Sequence, residues 1–181
     1  DGNPPRPYVW DTSKGPIPAW TDGGGAFTYG YDGVTPFITI ARANEITQFA
    51  LGQWSNVGTA TLDLGVKGTI AKKTGIADVT GANANQFYGV ENGYGLCVLY
   101  DTDGSILEEY FGVSRYAVLG IAFPEIADAN GKITEATALL NGWLVYDTDV
   151  NGDRIAGVFT HEFGHAVNLS HSQVNGPIVY S

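Results

Sequence analysis

The sequence predicts an α+β fold: a twisted mixed β-sheet with a backing helix and a second helix near the C-terminus. Two helical periods and the β-like runs around them lead to this prediction. Apolar residues recur at three- and four-residue spacing from Thr39 to Trp54 and again from Ile155 to Leu169. A helix that crosses over to a parallel strand, followed by antiparallel pairing, gives a mixed sheet with helices on one face. We expect a single domain over residues 1–181.

The short apolar runs outside these helices are typical of strands, because they alternate with polar residues or are bounded by turn residues. We predict strands, in chain order, at Tyr8–Trp10, Ala26–Tyr29, Thr59–Val66, Leu96–Tyr100, Tyr116–Phe123 and Ala138–Tyr146. The segment from Lys67 to Gly95 is polar and rich in Gly and Asn, without a clear period, so we expect surface loops there. Residues Glu125 to Glu135 are expected to connect the last two strands.

The composition narrows the choice of partners and compartment. The net charge is −10 and the pI is about 4.4, which argues against nucleic acid or an anionic membrane surface as a partner. No stretch is long enough to span a bilayer. Only 15% of the residues are charged, and together with the acidic pI and the motif described next this favours a secreted or cell-surface protein. The single cysteine, Cys97, lies in an apolar run and is expected to be a buried side chain.

The three histidines of the chain, His161, His165 and His171, fall within eleven positions. His161 and His165 are four residues apart, so on a helix they lie one turn above each other and can reach one cation. Glu162, beside the first of them, can stand next to that cation without binding it. In the H-E-x-x-H arrangement of zinc hydrolases, two imidazoles hold the metal and the glutamate handles the proton of water.

The third ligand follows by elimination. After Glu162 the chain contains no Asp, Glu, Cys, Lys or Arg, which leaves His171. On an unbroken helix, six residues past His165 means about 240° around the axis and roughly 9 Å along it, so the helix must end and turn back. A reversal needs a residue that tolerates positive φ, and Asn168 is suited to that position.

The motif H-E-x-x-H-x-x-N-x-x-H resembles that of the metzincin zinc peptidases, and His171-Ser172 is closest to the matrixin-like branch. The resemblance implies an endopeptidase with a catalytic zinc ion on His161, His165 and His171, Glu162 as the base and a protein or peptide as substrate. It also implies an edge strand above the zinc that pairs with the substrate, for which Leu119–Phe123 is the candidate; an ordinary inner strand is the alternative.

The chain departs from the metzincin pattern in two ways. Metzincins usually have Gly where this chain has Asn168, and both residues suit a left-handed corner. They also have a methionine-containing turn and a substrate-pocket wall after the third histidine, whereas this chain has no methionine and ends ten residues after His171. We therefore expect a fragment that comprises a metzincin-like N-terminal subdomain, with a short or missing C-terminal subdomain.

Two acidic segments are candidates for calcium. Asp147, Asp149, Asn151 and Asp153 form a D-x-D-x-N-G-D pattern, the opening half of a calcium loop; a capped turn before the following helix is the alternative. Asp101 and Asp103 are the weaker pair, and a hairpin turn is the favoured interpretation there.

Two functions are compatible with these residues. The first is a zinc-dependent endopeptidase in which Glu162 activates water; the second is a non-catalytic surface or assembly protein that keeps a structural zinc site. Retention of Glu162 favours the first, because a structural site needs only the ligands. The sequence carries no signal for an oligomeric state.

Overall fold

The computed structural model describes residues 8–24, 27–28, 36–143 and 153–171. Its strands are β1 Val9–Trp10, β2 Ile17–Thr21, β3 Phe27–Thr28, β4 Pro36–Ile38, β5 Leu64–Thr69, β6 Gly95–Asp101, β7 Gly120–Ala127 and β8 Lys132–Asn141. The helices are α1 Ile40–Ser55, α2 Ile70–Thr74, α3 Ala84–Phe87 and α4 Asp153–Ala166, with a 3₁₀ turn at Thr12–Lys14 and a π-helical turn at Ile106–Tyr110. None of the described helices is both long and apolar enough to span a lipid bilayer.

Six of the described strands form one mixed, mostly parallel sheet. Its order is β1-β8-β6-β2-β5, and β7 lies along β8. The pairs β2–β5, β2–β6, β6–β8 and β1–β8 are parallel, whereas β7 runs antiparallel to β8. The described sheet and helices are consistent with the predicted α+β fold, and the sheet is mixed as expected.

Helices α1 and α4 pack against each other and cover one face of the sheet. Ala43, Ala50 and Leu51 of α1 are fully buried in this core, as are Phe163 and Ala166 of α4. The backbone of α1 starts where predicted, because the Thr39 hydroxyl accepts a hydrogen bond from the Arg42 amide and caps the helix.

The other face of the sheet is also covered, so the expectation of helices on one face only is wrong. Helices α2 and α3 and the π-helical turn supply a second core, which contains Ile70, Val79, Ala84, Phe87 and Leu107. The prediction of surface loops from Lys67 to Gly95 is therefore also wrong. The apolar residues of this segment are isolated in the sequence and are buried by short turns. They therefore show no helical or strand period from which their burial could be predicted.

The last two strands form a hairpin, and both are shifted from the predicted positions. Strand β7 lies later in the chain than predicted, and β8 lies earlier. The hairpin turn is fixed by the Asp128 carboxylate, which accepts hydrogen bonds from the amides of Asn130 and Lys132. Strand β7 continues through Pro124, where the pairing with β8 shifts register. A proline is tolerated there because β7 has β8 as its single strand neighbour in the described sheet. The expected plain connection from Glu125 to Glu135 is thus largely strand.

Candidate metal centre

The metal-binding motif lies on α4 and on the turn that follows it. Helix α4 ends at Ala166, and Asn168 has a φ of 72°, the one positive φ of a non-glycine residue in the described part of the chain. The Leu169 amide donates to the Gly164 carbonyl at 2.9 Å, and the Asn168 amide donates to the His165 carbonyl at 2.8 Å. This pair of bonds is a Schellman motif, which ends a helix with a left-handed residue. The predicted reversal at Asn168 is confirmed.

The reversal brings the three imidazoles together. The Nε2 atoms of His161 and His165 are 3.1 Å apart, those of His161 and His171 are 3.1 Å apart, and those of His165 and His171 are 3.0 Å apart. Two nitrogens bonded at ~2.0–2.1 Å to one tetrahedral zinc ion lie about 3.3–3.4 Å from each other. The rings therefore need to open by only about 0.3 Å to hold a metal ion. Among the described residues, this is the one group of three or more His, Cys, Asp or Glu side chains close enough to do so.

The Nδ1 atom of His165 determines which tautomer of this ring is favoured. Nδ1 lies 2.6 Å from the carbonyl oxygen of Leu169, which can only accept a hydrogen bond. Nδ1 therefore carries the proton, and the lone pair of His165 is on Nε2, where a metal would bind. Burial and the two neighbouring imidazoles lower the pKa of His161, which favours the neutral, ligating form. The Nε2 atoms of the three rings thus face one point.

Glu162, next to His161 in the sequence, is buried, with an exposed fraction of 6%. It lies against the backbone of β7: a Cβ placed on Gly120 would be 2.8 Å from Cγ of Glu162. Burial raises the pKa of the Glu162 carboxyl group above its ordinary value of 4.5, and the nearby His165 lowers it in part. A raised pKa makes the Glu162 carboxylate a better proton acceptor than an ordinary glutamate.

Close packing against α1 fixes the position of α4. Gly164 faces the indole of Trp54, and a Cβ added there would lie 2.9 Å from Cζ2 of that ring. The same indole donates its N–H to the Thr160 carbonyl at 2.8 Å. The glycine inside the H-E-x-G-H segment thus allows the close approach of the two helices.

Strand β7 runs beside this centre with an open edge. Leu119, just before β7, accepts a hydrogen bond from the Asn141 amide of β8. Backbone groups alternate between the two sides of an antiparallel strand, so those of Gly120 and Ala122 point away from β8. No described strand pairs with that side. The prediction that this segment is an edge strand beside the metal helix agrees with the described sheet.

The stronger calcium candidate falls mostly outside the described residues. Asp147, Asp149 and Asn151 lie in the stretch 144–152, and only Asp153 is included, as the first residue of α4. The calcium prediction for these four residues stays a prediction.

The weaker candidate, Asp101 and Asp103, is used in another way. The Asp101 carboxylate accepts hydrogen bonds from the amides of Ile106 and Leu107 at 3.1 and 2.9 Å, and Asp103 accepts one from Ser105 at 2.9 Å. These contacts join β6 to the π-helical turn, so the hairpin interpretation is wrong. The residue pattern suits a helix cap and a metal loop alike, and the position of the amides decides between them.

Sequence reasoning missed the residues from other elements that pack against α4. Trp54 on α1, Gly120 on β7 and Trp10 on β1 each contact α4. Trp10 and Trp54 contact residues more than a hundred positions away, so no local pattern indicates them. The only available signal was Gly164, since a glycine inside a helix often marks a close helix–helix contact.

Comparisons with protein-family models, with curated proteins and with solved structures found no match for this chain.

Proposed function

We propose that this protein is a zinc-dependent endopeptidase of the metzincin type. The observation that carries the proposal is the convergence of three Nε2 atoms within 3.1 Å of each other, next to the buried carboxyl group of Glu162. Three neutral imidazoles suit Zn²⁺ and leave one coordination position open, as in catalytic rather than structural zinc sites. His161 and His171 are exposed, so the open side is accessible to a substrate.

Bound zinc would supply Lewis acidity and lower the pKa of a water molecule to about 7. Glu162 would act as general base toward the attacking water and then as general acid toward the leaving nitrogen of the peptide bond. Burial of Glu162, which raises the pKa of its carboxyl group, supports this role because it makes the carboxylate a better base.

The free edge of β7 would hold the substrate. An extended peptide can pair with the outward backbone groups of Gly120 and Ala122, and main-chain pairing accepts varied sequences. Gly120 contacts Glu162, so the paired peptide would pass directly beside the base. These contacts support a peptide substrate over a small molecule.

Zinc content and proteolysis test the proposal. We expect about one zinc ion per chain and chelator-sensitive cleavage of an unfolded general protein substrate. Glu162→Gln should keep zinc and lower cleavage by roughly 10²–10⁴-fold, because it removes the base without removing a ligand. Glu91→Gln, at an exposed glutamate, is the matched control and should cleave as the parent does.

Each result has one meaning. Absence of zinc binding would overturn the whole proposal. Stoichiometric zinc without cleavage would favour the alternative, a surface or assembly protein with a structural zinc site. Undiminished cleavage by Glu162→Gln would remove Glu162 from the mechanism.

A further inference from the structure

The N-terminal strand β1 reaches the corner that positions the third histidine. The indole N–H of Trp10 donates to the carbonyl of Ala166 at 3.1 Å, across 156 residues of sequence. The side-chain amide of Asn168 donates to the carbonyl of Tyr8 at 3.0 Å. Both contacts lie between His165 and His171, on the turn that brings His171 back to the other two imidazoles.

The hydrogen bonds at the end of α4 show what Trp10 contributes. The last carbonyls of a helix lack intrahelical donors and need partners from elsewhere. The carbonyls of Phe163, Gly164 and His165 accept from the amides of the turn, namely Val167, Leu169 and Asn168. The next carbonyl, that of Ala166, accepts no backbone hydrogen bond from the described part of the turn, and the indole N–H of Trp10 donates to it instead.

Strand β1 is itself held firmly on the sheet. The amide of Val9 donates to the carbonyl of Gly131, just before β8, and the amide of Asp11 donates to that of Ile133 in β8. Trp10 is 3% exposed and packs edge-to-face on Tyr94, with 5.9 Å between the ring centroids. The corner of the metal centre is thus tied, through Trp10 and Tyr8, to a rigid sheet rather than to α4 alone.

We infer that residues 8–10 are a positioning strap for the metal centre, in which Trp10 and the Tyr8 carbonyl hold the turn that delivers His171. This inference rests on the proposed metal site. Metal binding and docking of the strap are then coupled: each stabilises the other by the same free energy, as linkage requires. Trp10 acts through His171 and touches neither metal nor substrate.

A pair of matched tryptophan variants tests the strap. Trp10→Phe keeps a ring but removes the N–H bond to Ala166. Trp54→Phe also removes an indole bond to α4, but the acceptor is Thr160, inside the helix and away from the corner. Loss of a partner that orients metal ligands typically weakens metal binding 10–100-fold. We expect Trp10→Phe to weaken zinc binding by about 10-fold or more and Trp54→Phe by less than about 3-fold.

Zinc affinity is measured by competition with a chelating dye, and the absorption spectrum of Co²⁺ in the site reports ligand geometry. The spectrum should change in Trp10→Phe and stay as in the parent in Trp54→Phe. Equal losses of affinity in both variants, or no loss in Trp10→Phe, would overturn the strap. If the parent protein binds no metal, the proposed function fails, which is a separate result.

Two further measurements keep the inference testable if Trp10→Phe does not fold. Asn168→Gly retains the left-handed turn but removes the bond to Tyr8, so it should also weaken zinc binding. In the unaltered protein, zinc should slow hydrogen exchange at the amides of Val9 and Asp11. Exchange at these amides that ignores zinc would contradict the coupling.

Discussion

Two regions of this molecule have the residue types of metal sites, and they use them differently. In the corner after α4, three imidazole nitrogens lie 3.0–3.1 Å apart. In the turn after β6, both oxygens of Asp101 accept hydrogen bonds from the amides of Ile106 and Leu107. In the first region Nδ1 of His165 lies against a carbonyl oxygen, and Nε2 faces the other imidazoles. In the second region each carboxylate oxygen of Asp101 already accepts a hydrogen bond from the backbone.

Ligand spacing alone does not determine whether a group of side chains can bind a metal ion. Spacing determines which side chains can meet, and the remaining hydrogen bonds determine whether their lone pairs face the meeting point. The acidic turn has an additional feature: burial raises the pKa of Asp101 to about 6, with the backbone amides opposing the shift. This turn is therefore a structural link between strand and helix.

Replacing one candidate ligand in each region should give the largest difference in zinc affinity. His165→Ala removes a ligand and its orienting bond, so zinc affinity should fall by more than about 100-fold, beyond the cost of losing an outer partner. Asp103→Ala should leave zinc affinity unchanged. Dye competition measures both. A similar fall in Asp103→Ala would mean that the two regions are coupled, and it would contradict the purely structural role of the acidic turn.

Another buried carboxyl group, that of Asp22 just after β2, gives the next largest effect. This group is completely buried, and Oδ1 accepts hydrogen bonds from the amides of Gly23 and Val79. Burial and the neighbouring Asp78 carboxylate raise the pKa of Asp22 from 3.8 to about 7. The folded state therefore binds this proton more tightly than the unfolded state does. The stability that Asp22 contributes is complete below pH 4 and is lost as the pH rises through about 7.

Urea unfolding in the presence of a chelator measures this effect. Between pH 4.5 and pH 8 the parent should lose about 2–4 kcal/mol of unfolding free energy that Asp22→Asn does not lose. The difference between the two proteins cancels the contribution of the histidines. Parallel pH profiles for parent and variant would show that Asp22 titrates normally in the folded protein.

The two regions also differ in how far the sequence could predict them. Helix α4 repeats its apolar residues often enough to show a period, and the corner at Asn168 follows because His171 cannot otherwise reach the site. The role of Asp101 depends on two amides in a turn that has no period. The segment around Phe87, which fills the second core, is likewise without a repeat.

Long-range contacts were beyond prediction for a different reason. Trp10 and Ala166 are 156 residues apart, and their contact depends on the register of β1 with β8. Nothing in the neighbourhood of Trp10 in the sequence specifies that register. The chemistry of the site was therefore predictable from local spacing, whereas its mechanical support was not.

The smallest expected effects come from two glycines of α4. One packs closely against α1, and the other has open space around it. A Cβ at Gly164 would lie 2.9 Å from Trp54, whose indole is held by Thr160, whereas a Cβ at Gly157 would meet nothing within 4 Å. Gly164→Ala should therefore destabilise the metal-free protein by about 1–3 kcal/mol through overpacking. Gly157→Ala should stabilise it by about 0.5–1 kcal/mol, because alanine favours the helix.

Urea midpoints of the two variants measure these opposite signs. If Gly164→Ala were neutral, α1 and α4 could separate without cost, and the tight contact would not be what holds the metal helix in place. Gly157→Ala lies one turn before the motif and should bind zinc as the parent does, because it strengthens the helix without moving it.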